Sequence, residues 1–321
     1  MKVLCLGDAH FMLSNLEQTE IYMKELETFL STNKFDLIVN LGDTLDSFSR
    51  LSTPCLIRAT KYIRLLANHA LTYVIVGNHD AVNNSIFLSD NHWLEVLKYT
   101  NNVIIVDTVV KLDNLLFCPY VKDGRFIEAL KTFPEDFCNF KVIFSHVSVK
   151  GVDMNGIIVK DADVWEDNYP LLISGHIHLS QWINKNCYYT GSILQVAVNE
   201  NPDKHIVVLD TETLEIKEVI LNLPKKQILY FDLHEIKSEN IIPEDKNTKY
   251  TIRIKCTVEE ANTFRKGTLF KNLQKKATVQ FESPKTVTVK KENLNTDFKE
   301  IILSLIKDDK DLLSFYNELE F

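Results

Sequence analysis

The chain alternates short runs of consecutive apolar residues with longer stretches in which apolar residues return every three or four positions. Residues 3–6, 37–41, 73–76, 103–106, 115–118, 142–144 and 171–173 are apolar runs, interrupted only by Asn40, bounded by turn-forming residues, a pattern that predicts buried strands. Over residues 16–30, Leu16, Ile21, Leu26, Phe29 and Leu30 share one broad helical face, with Ser14 or Asn15 placed to cap it. Residues 54–66 and 93–97 also predict helices. Strand–helix alternation of this kind implies a layered α/β body.

Five of these strands stop in the same way. Leu6 runs into Gly7-Asp8, Leu41 into Gly42-Asp43, and Val76 into Gly77-Asn78-His79-Asp80. Phe144 runs into Ser145-His146, and Ile173 into Ser174-Gly175-His176. Each strand delivers a metal-competent side chain just past a small residue. In α/β sheets the loops at the carboxyl ends of strands converge on one crevice, so side chains far apart in sequence can meet there.

Five of the nine histidines, His10, His79, His146, His176 and His178, fall in these motifs. Imidazole with carboxylate suits Mn, Fe or Zn, and the absence of paired cysteines excludes a thiolate zinc site. One carboxylate between two cations can hold them about 3.5–4 Å apart, and such a pair turns water into a nucleophile toward phosphorus at neutral pH. Taken singly, Asp8-x-His10 or Gly42-Asp43-x-x-Asp46 is also what an ordinary strand-end turn looks like. Gly77-Asn78-His79-Asp80 is sharper, because polar residues straight after a buried strand are costly to keep. Gly175-His176-x-His178 puts two imidazoles on one side of an extended segment. The ordered set points to a two-metal phosphoesterase.

This set, DxH, GDxxD, GNHD, a single His and GHxH, resembles the calcineurin-like metallophosphoesterase superfamily. The resemblance implies an α/β fold, a four-layer αββα sandwich, with two divalent metal ions, Mn2+ first and Fe2+ or Zn2+ as alternatives. It assigns Asp8, His10, Asp43 and His178 to one ion, and Asp43, Asn78, His146 and His176 to the other. It implies His79 as the catalytic group that stabilises the phosphorus centre or protonates the leaving oxygen, with Asp80 setting its tautomer. Ser47-Phe48 and Asp80 depart from the GDxVDRG and GNHE of the protein phosphatases. The whole layout is similar instead to the SbcD-type, or meiotic-recombination, DNA repair nucleases, and closest to the small nuclease subunit of T-even phages. Tyr189-Thr190-Gly191-Ser192 follows the GHxH strand, and a hairpin over residues 207–213 comes next. Asp46 stands where some of those nucleases carry a histidine.

Composition changes this picture mainly through charge. At 321 residues, 45% hydrophobic and 25% charged, the chain is an ordinary globular sequence. No apolar run reaches the roughly 18 residues of a membrane span, and the opening strand is too soon polar for a signal peptide. A cytoplasmic location with reduced cysteines is the expectation. The net charge of −8 conceals a split, because residues 246–291 hold twelve basic and three acidic side chains, a net of +9, leaving −17 for the remainder.

Beyond Pro224 the pattern turns to short alternating strands at 228–233, 250–255, 278–281 and 286–289, and after 291 to two short helices. The expected organisation is a metallophosphoesterase domain over residues 1–223, a basic β-rich cap over 224–291 and a helical tail over 292–321. In the resembled nucleases the cap grips duplex DNA and the tail docks on an SbcC-type coiled-coil ATPase. Arg253, Lys255, Arg265, Lys266, Lys271, Lys275 and Lys276 are the candidate phosphate contacts. Ile301, Ile302, Leu305, Leu312, Phe315 and Tyr316 are the candidate partner stripe. A homodimer through the first helices is implied as well. The function expected is a Mn-dependent DNA exonuclease and endonuclease in double-strand-break repair. Its rivals are a small-molecule phosphodiesterase, opposed by the basic module, and a non-catalytic scaffold, opposed by the intact ligand set.

Overall fold

A computed structural model describes residues 1–48, 50–245 and 247–282. The expected strands are present and divide between two sheets. Lys2–Leu6, Leu37–Asn40, Leu71–Ile75 and Val103–Val106 run parallel in one six-stranded sheet. His205–Asp210 and Ile216–Ile220 extend its other edge antiparallel. Leu115–Phe117, Val142–Ser145, Leu171–Ser174 and Cys187–Tyr189 form the parallel centre of a second, edged by Val110–Leu112 and Gln181–Asn184. Their sequences lack polar alternation because both faces of each sheet are covered.

Three apolar cores separate four layers. Between the sheets lie Val3, Cys5, Val39 and Ile75 of one and Phe117, Phe144, Ile173 and Tyr188 of the other. Each Phe or Ile buried there contributes roughly 1.5–3 kcal/mol, so this seam fixes how one sheet sits on the other. Outside the first sheet, helices Leu16–Thr32 and Thr53–Ala67 pack on Leu4, Leu6, Ile38 and Val74. Outside the second, the five-residue helix Phe126–Leu130 and loops gather around Phe137, Ile143 and Trp165. The fourth layer is therefore mostly loop. Residues 93–97 form a single 3-10 turn, Trp93–Leu97. The cysteines are all unpaired, and only Cys138 is exposed. No helix among the described residues is long and apolar enough to cross a membrane.

After residue 224, Lys225–Asp232, Thr248–Lys255 and Ala277–Glu282 form a parallel three-stranded sheet. Parallel strands need crossovers, and here one of them holds helices Val258–Phe264 and Thr268–Lys276, packed on Tyr250, Ile252 and Ile254. The module thus adds two helices to the strands that the alternation predicted. Thr257 and Glu260 start its first helix with a capping box. On the face away from the helices, Tyr230, Arg253 and Gln280 stand in register. The strand expected at 286–289 and the tail, with Ile301, Ile302, Leu305, Leu312, Phe315 and Tyr316, lie outside the described residues.

Candidate metal centre

The two sheets bring the carboxyl ends of their central strands to one edge. Asp8, Asp43 and Asn78 follow neighbouring strands of the first sheet, and His146 and His176 follow neighbouring strands of the second. Close approach requires missing side chains, since a Cβ on Gly77 would stand 2.1 Å from Asp43 Oδ1. Gly42, at φ +104°, adopts a conformation open to glycine at little cost. His10, Asp43 and His176 are themselves left-handed, with φ of 43°, 48° and 77°. Each such non-glycine residue costs on the order of 1–3 kcal/mol, and backbone of this kind gathers at functional sites. Asn15 flanks the first helix without capping it through its side chain. It braces the His10 loop, donating to the His10 carbonyl at 2.8 Å and accepting from Met12 N at 3.0 Å.

Each nest-forming aspartate is tied by one oxygen and turns the other inward. Asp8 Oδ1 accepts from His176 N at 3.0 Å, and Asp43 Oδ1 from His79 N at 2.8 Å. Asp8 Oδ2 then lies 3.9 Å from His10 Nε2 and 3.8 Å from His178 Nε2. Asp43 Oδ2 lies 3.6 Å from His10 Nε2 and 3.2 Å from His146 Nε2. Asp8 Oδ2 is buried and has no hydrogen-bond partner.

Three imidazoles are oriented from outside the nest. His10 Nδ1 is 2.9 Å from Asp46 Oδ1, His178 Nδ1 is 3.0 Å from Glu200 Oε1, and His146 Nδ1 is 2.7 Å from the Leu41 carbonyl. Carboxylates and carbonyls only accept, so each Nδ1 carries the hydrogen and each Nε2 turns a lone pair inward. Yet His10 Nε2 and His178 Nε2 are 2.9 Å apart. His146 Nε2 is 3.1 Å from Asn78 Oδ1 and 3.3 Å from His176 Nδ1, which is itself 2.9 Å from Asn78 Oδ1. With the rings neutral, these nitrogen lone pairs converge with carboxylate oxygens on the same small space, an arrangement that cations satisfy.

Two divalent cations sharing Asp43 fit the donors. Asp8, His10 and His178 would hold one, and Asn78, His146 and His176 the other. All seven residues expected as ligands therefore meet. Such ions supply an activated water and neutralise charge on a phosphoryl group. Without them the nest holds a proton: burial disfavours charge on His146, but Asp43 and Asp8 outweigh it and lift the ring to about 9. Burial and the charge on His146 push His176 down to about 3. Burial would raise Asp43, yet His146, His10 and His79 hold it well below the usual carboxylate range.

His79 stands at the rim, its Nδ1 3.2 Å from the Asp46 carbonyl and its ring stacked on Phe48 at 4.4 Å. The Asp46 carbonyl, not the Asp80 carboxylate, holds the ring, which corrects the role expected for Asp80. Asp80 Oδ1 accepts from Trp93 Nε1 at 2.8 Å and Leu45 N at 3.4 Å, and Oδ2 accepts from Gly77 N at 3.2 Å. It ties three segments together behind the site, because side chains of adjacent residues in a turn diverge. Burial and the nearby Asp43 push its carboxyl up to about 7. Sequence reasoning also missed Glu200 and Tyr120, whose ring centroid is 5.6 Å from that of His176. Neither belongs to a motif.

The seven basic candidates do not form one surface. Arg253 and Lys255 lie on the middle strand of the C-terminal module, facing away from the helices, where Arg253 is 3.4 Å from Glu282. Arg265, Lys266, Lys271, Lys275 and Lys276 belong to the helical layer on the opposite side, with Arg265 over the Phe281 ring at 4.8 Å.

A double α/β sheet with a carboxylate–imidazole nest for two ions at its strand ends defines a metal-dependent phosphoesterase. Residues 1–195 match the calcineurin-like phosphoesterase family, and the chain belongs to it. Phosphoesterase 078R of Invertebrate iridescent virus 3 is 35% identical over 282 residues, which cover 85% of this chain and 81% of the relative. Phosphoesterase 244L of Invertebrate iridescent virus 6 is 35% identical over 277 residues, covering 83% of this chain and 98% of the relative. A solved archaeal phosphodiesterase is similar at 19% identity and a TM-score of 0.36, over 69% of this chain and 100% of its own.

Proposed function

We propose that the chain is a Mn2+-dependent DNA phosphodiesterase, an exonuclease on duplex ends and an endonuclease on single strands within a break-repair complex. The observation that carries this reading is the charge split, +9 over residues 246–291 against −17 elsewhere. The module that holds the basic part is fastened beside the metal centre through its first strand, Lys225–Asp232. Lys226 N donates to Gln195 Oε1 at 2.6 Å, and Gln195 Nε2 donates to the carbonyl of Glu200, the partner of His178, at 3.0 Å. A polyanion repelled by the body would be held by the module, whereas a small diester has no use for it. A straight duplex engages one side of the module at a time, and the helical side carries five of the seven candidates. Docking of the tail on an SbcC-type ATPase and homodimerisation belong to the same reading and rest on the sequence pattern.

The test is hydrolysis by the purified chain with Mn2+, comparing single-stranded and duplex DNA with bis-p-nitrophenyl phosphate and a cyclic nucleotide. DNA cleavage that falls steeply with salt and vanishes in Asp43→Asn is expected. Cleavage of the small diesters with DNA untouched, even beside an SbcC-type partner, would pass the function to a small-molecule phosphodiesterase.

A further inference from the structure

His178 is the loosest of the ligands around Asp8. Its side chain is 23% exposed, against 2% for His10, and it lies in the loop beyond the last strand of the nest. What steadies its ring is Glu200, a buried carboxylate outside every recognisable motif. Oε1 takes His178 Nδ1 at 3.0 Å and Ala197 N at 3.2 Å. Oε2 takes Lys204 Nζ at 2.7 Å, Val196 N at 3.2 Å and Ser192 Oγ at 3.3 Å. So many donors leave the carboxylate little freedom to move, and the ring bonded to it is correspondingly fixed.

The same loop is stitched to the C-terminal module. Gln195 is buried, its Nε2 donating to the Glu200 and Lys226 carbonyls at 3.0 and 2.8 Å, its Oε1 accepting from Lys226 N at 2.6 Å. Lys226 Nζ returns a bond to the Gln195 carbonyl at 2.8 Å. Residues 195–204 thus form a strap with a metal ligand at one end and the strand Lys225–Asp232 at the other.

We propose that Glu200 is a positioning residue for His178, and that the strap makes the set of this ligand depend on how the strand Lys225–Asp232 is seated. It rests on the family's metal chemistry and is independent of DNA as the substrate. A carboxylate on Nδ1 fixes the ring and strengthens Nε2 as a donor, and removing such a partner typically weakens metal binding about 10–100-fold.

The test is calorimetric titration of the metal-free full chain with Mn2+, alongside thermal melting of each metal-free variant. Glu200→Ala is expected to weaken one of two ions by about 10–100-fold and leave the other unchanged. Glu200→Gln, which keeps an acceptor for Nδ1, should fall between Glu200→Ala and the natural protein. Gln195→Ala, which touches no metal ligand, should weaken the same ion by a smaller factor. Wild-type affinity for both ions in Glu200→Ala would overturn the positioning role. Equal weakening of both ions together with a lower melting temperature would overturn it too, by making Glu200 merely structural. Unchanged binding in Gln195→Ala, with Glu200→Ala impaired, would overturn the coupling to the strand.

Discussion

The two halves of the metal nest use the same kinds of donor and hold them differently. Around Asp8, the rings of His10 and His178 are backed by carboxylates, Asp46 and Glu200, and this half reaches the surface, with Asp46 35% exposed. Around Asn78, His146 is wholly buried and backed by the main-chain carbonyl of Leu41. A carboxylate strengthens the imidazole it backs. Asp46, partly exposed, can shift with its side chain, and Glu200 is held only as firmly as its loop is seated, whereas a carbonyl at a strand end is fixed by the sheet. The half around Asp8 is the adjustable one, and the half around Asn78 is the rigid one.

Asp43 is where the comparison can be broken outright, since its inward oxygen faces both halves. Asp43→Asn should lose both ions by elemental analysis and reduce hydrolysis by about a thousandfold or more. Retention of either ion would show that the halves do not share it. His79 lies outside both, so His79→Asn should keep its metal content and lose about 10²–10⁴-fold in turnover. A metal-free His79→Asn protein would end that separation.

The finer test falls on one half alone. Asp46→Asn should weaken a single ion about 10–100-fold in a Mn2+ titration, and equal loss of both would erase the difference between the halves. The rigid half has its own signature in pH. In the metal-free chain His146 is raised from 6.5 to about 9, so its charge stabilises the fold fully below pH 6.5 and ceases to do so as pH rises through about 9. Metal uptake at pH 7.5 should therefore release about one proton, measurable by calorimetry in two buffers of different ionisation enthalpy. Uptake without release would place that proton elsewhere.

The sandwich was legible because its central strands are mostly apolar runs, five of which stop at a small residue before a ligand. Asp8, Asp43, Asn78, His146 and His176 could be placed by that rule alone. The groups that hold the ligands from behind could not. Glu200 is a single acid in a polar loop, the Leu41 carbonyl is a main-chain atom, and Asn15 looked like a helix cap. The role that the resemblance implied for Asp80 is not what its carboxylate does, since it faces Trp93, Leu45 and Gly77. In the C-terminal module, alternation over 250–255 revealed a strand. The helices that follow span only Val258–Phe264 and Thr268–Lys276, too short for a clear period, and the second is Lys-rich.

Asp8 bonds to His176 across 168 positions, and Leu41 to His146 across 105. Contacts that close such long loops slow folding and form only once distant segments are in place. On a ribosome adding about 5–20 residues per second, His178 emerges roughly 10–30 s after Asp8. Until then the chain offers an arriving ion only part of its nest, so metal loading follows completed folding and cannot guide its early steps.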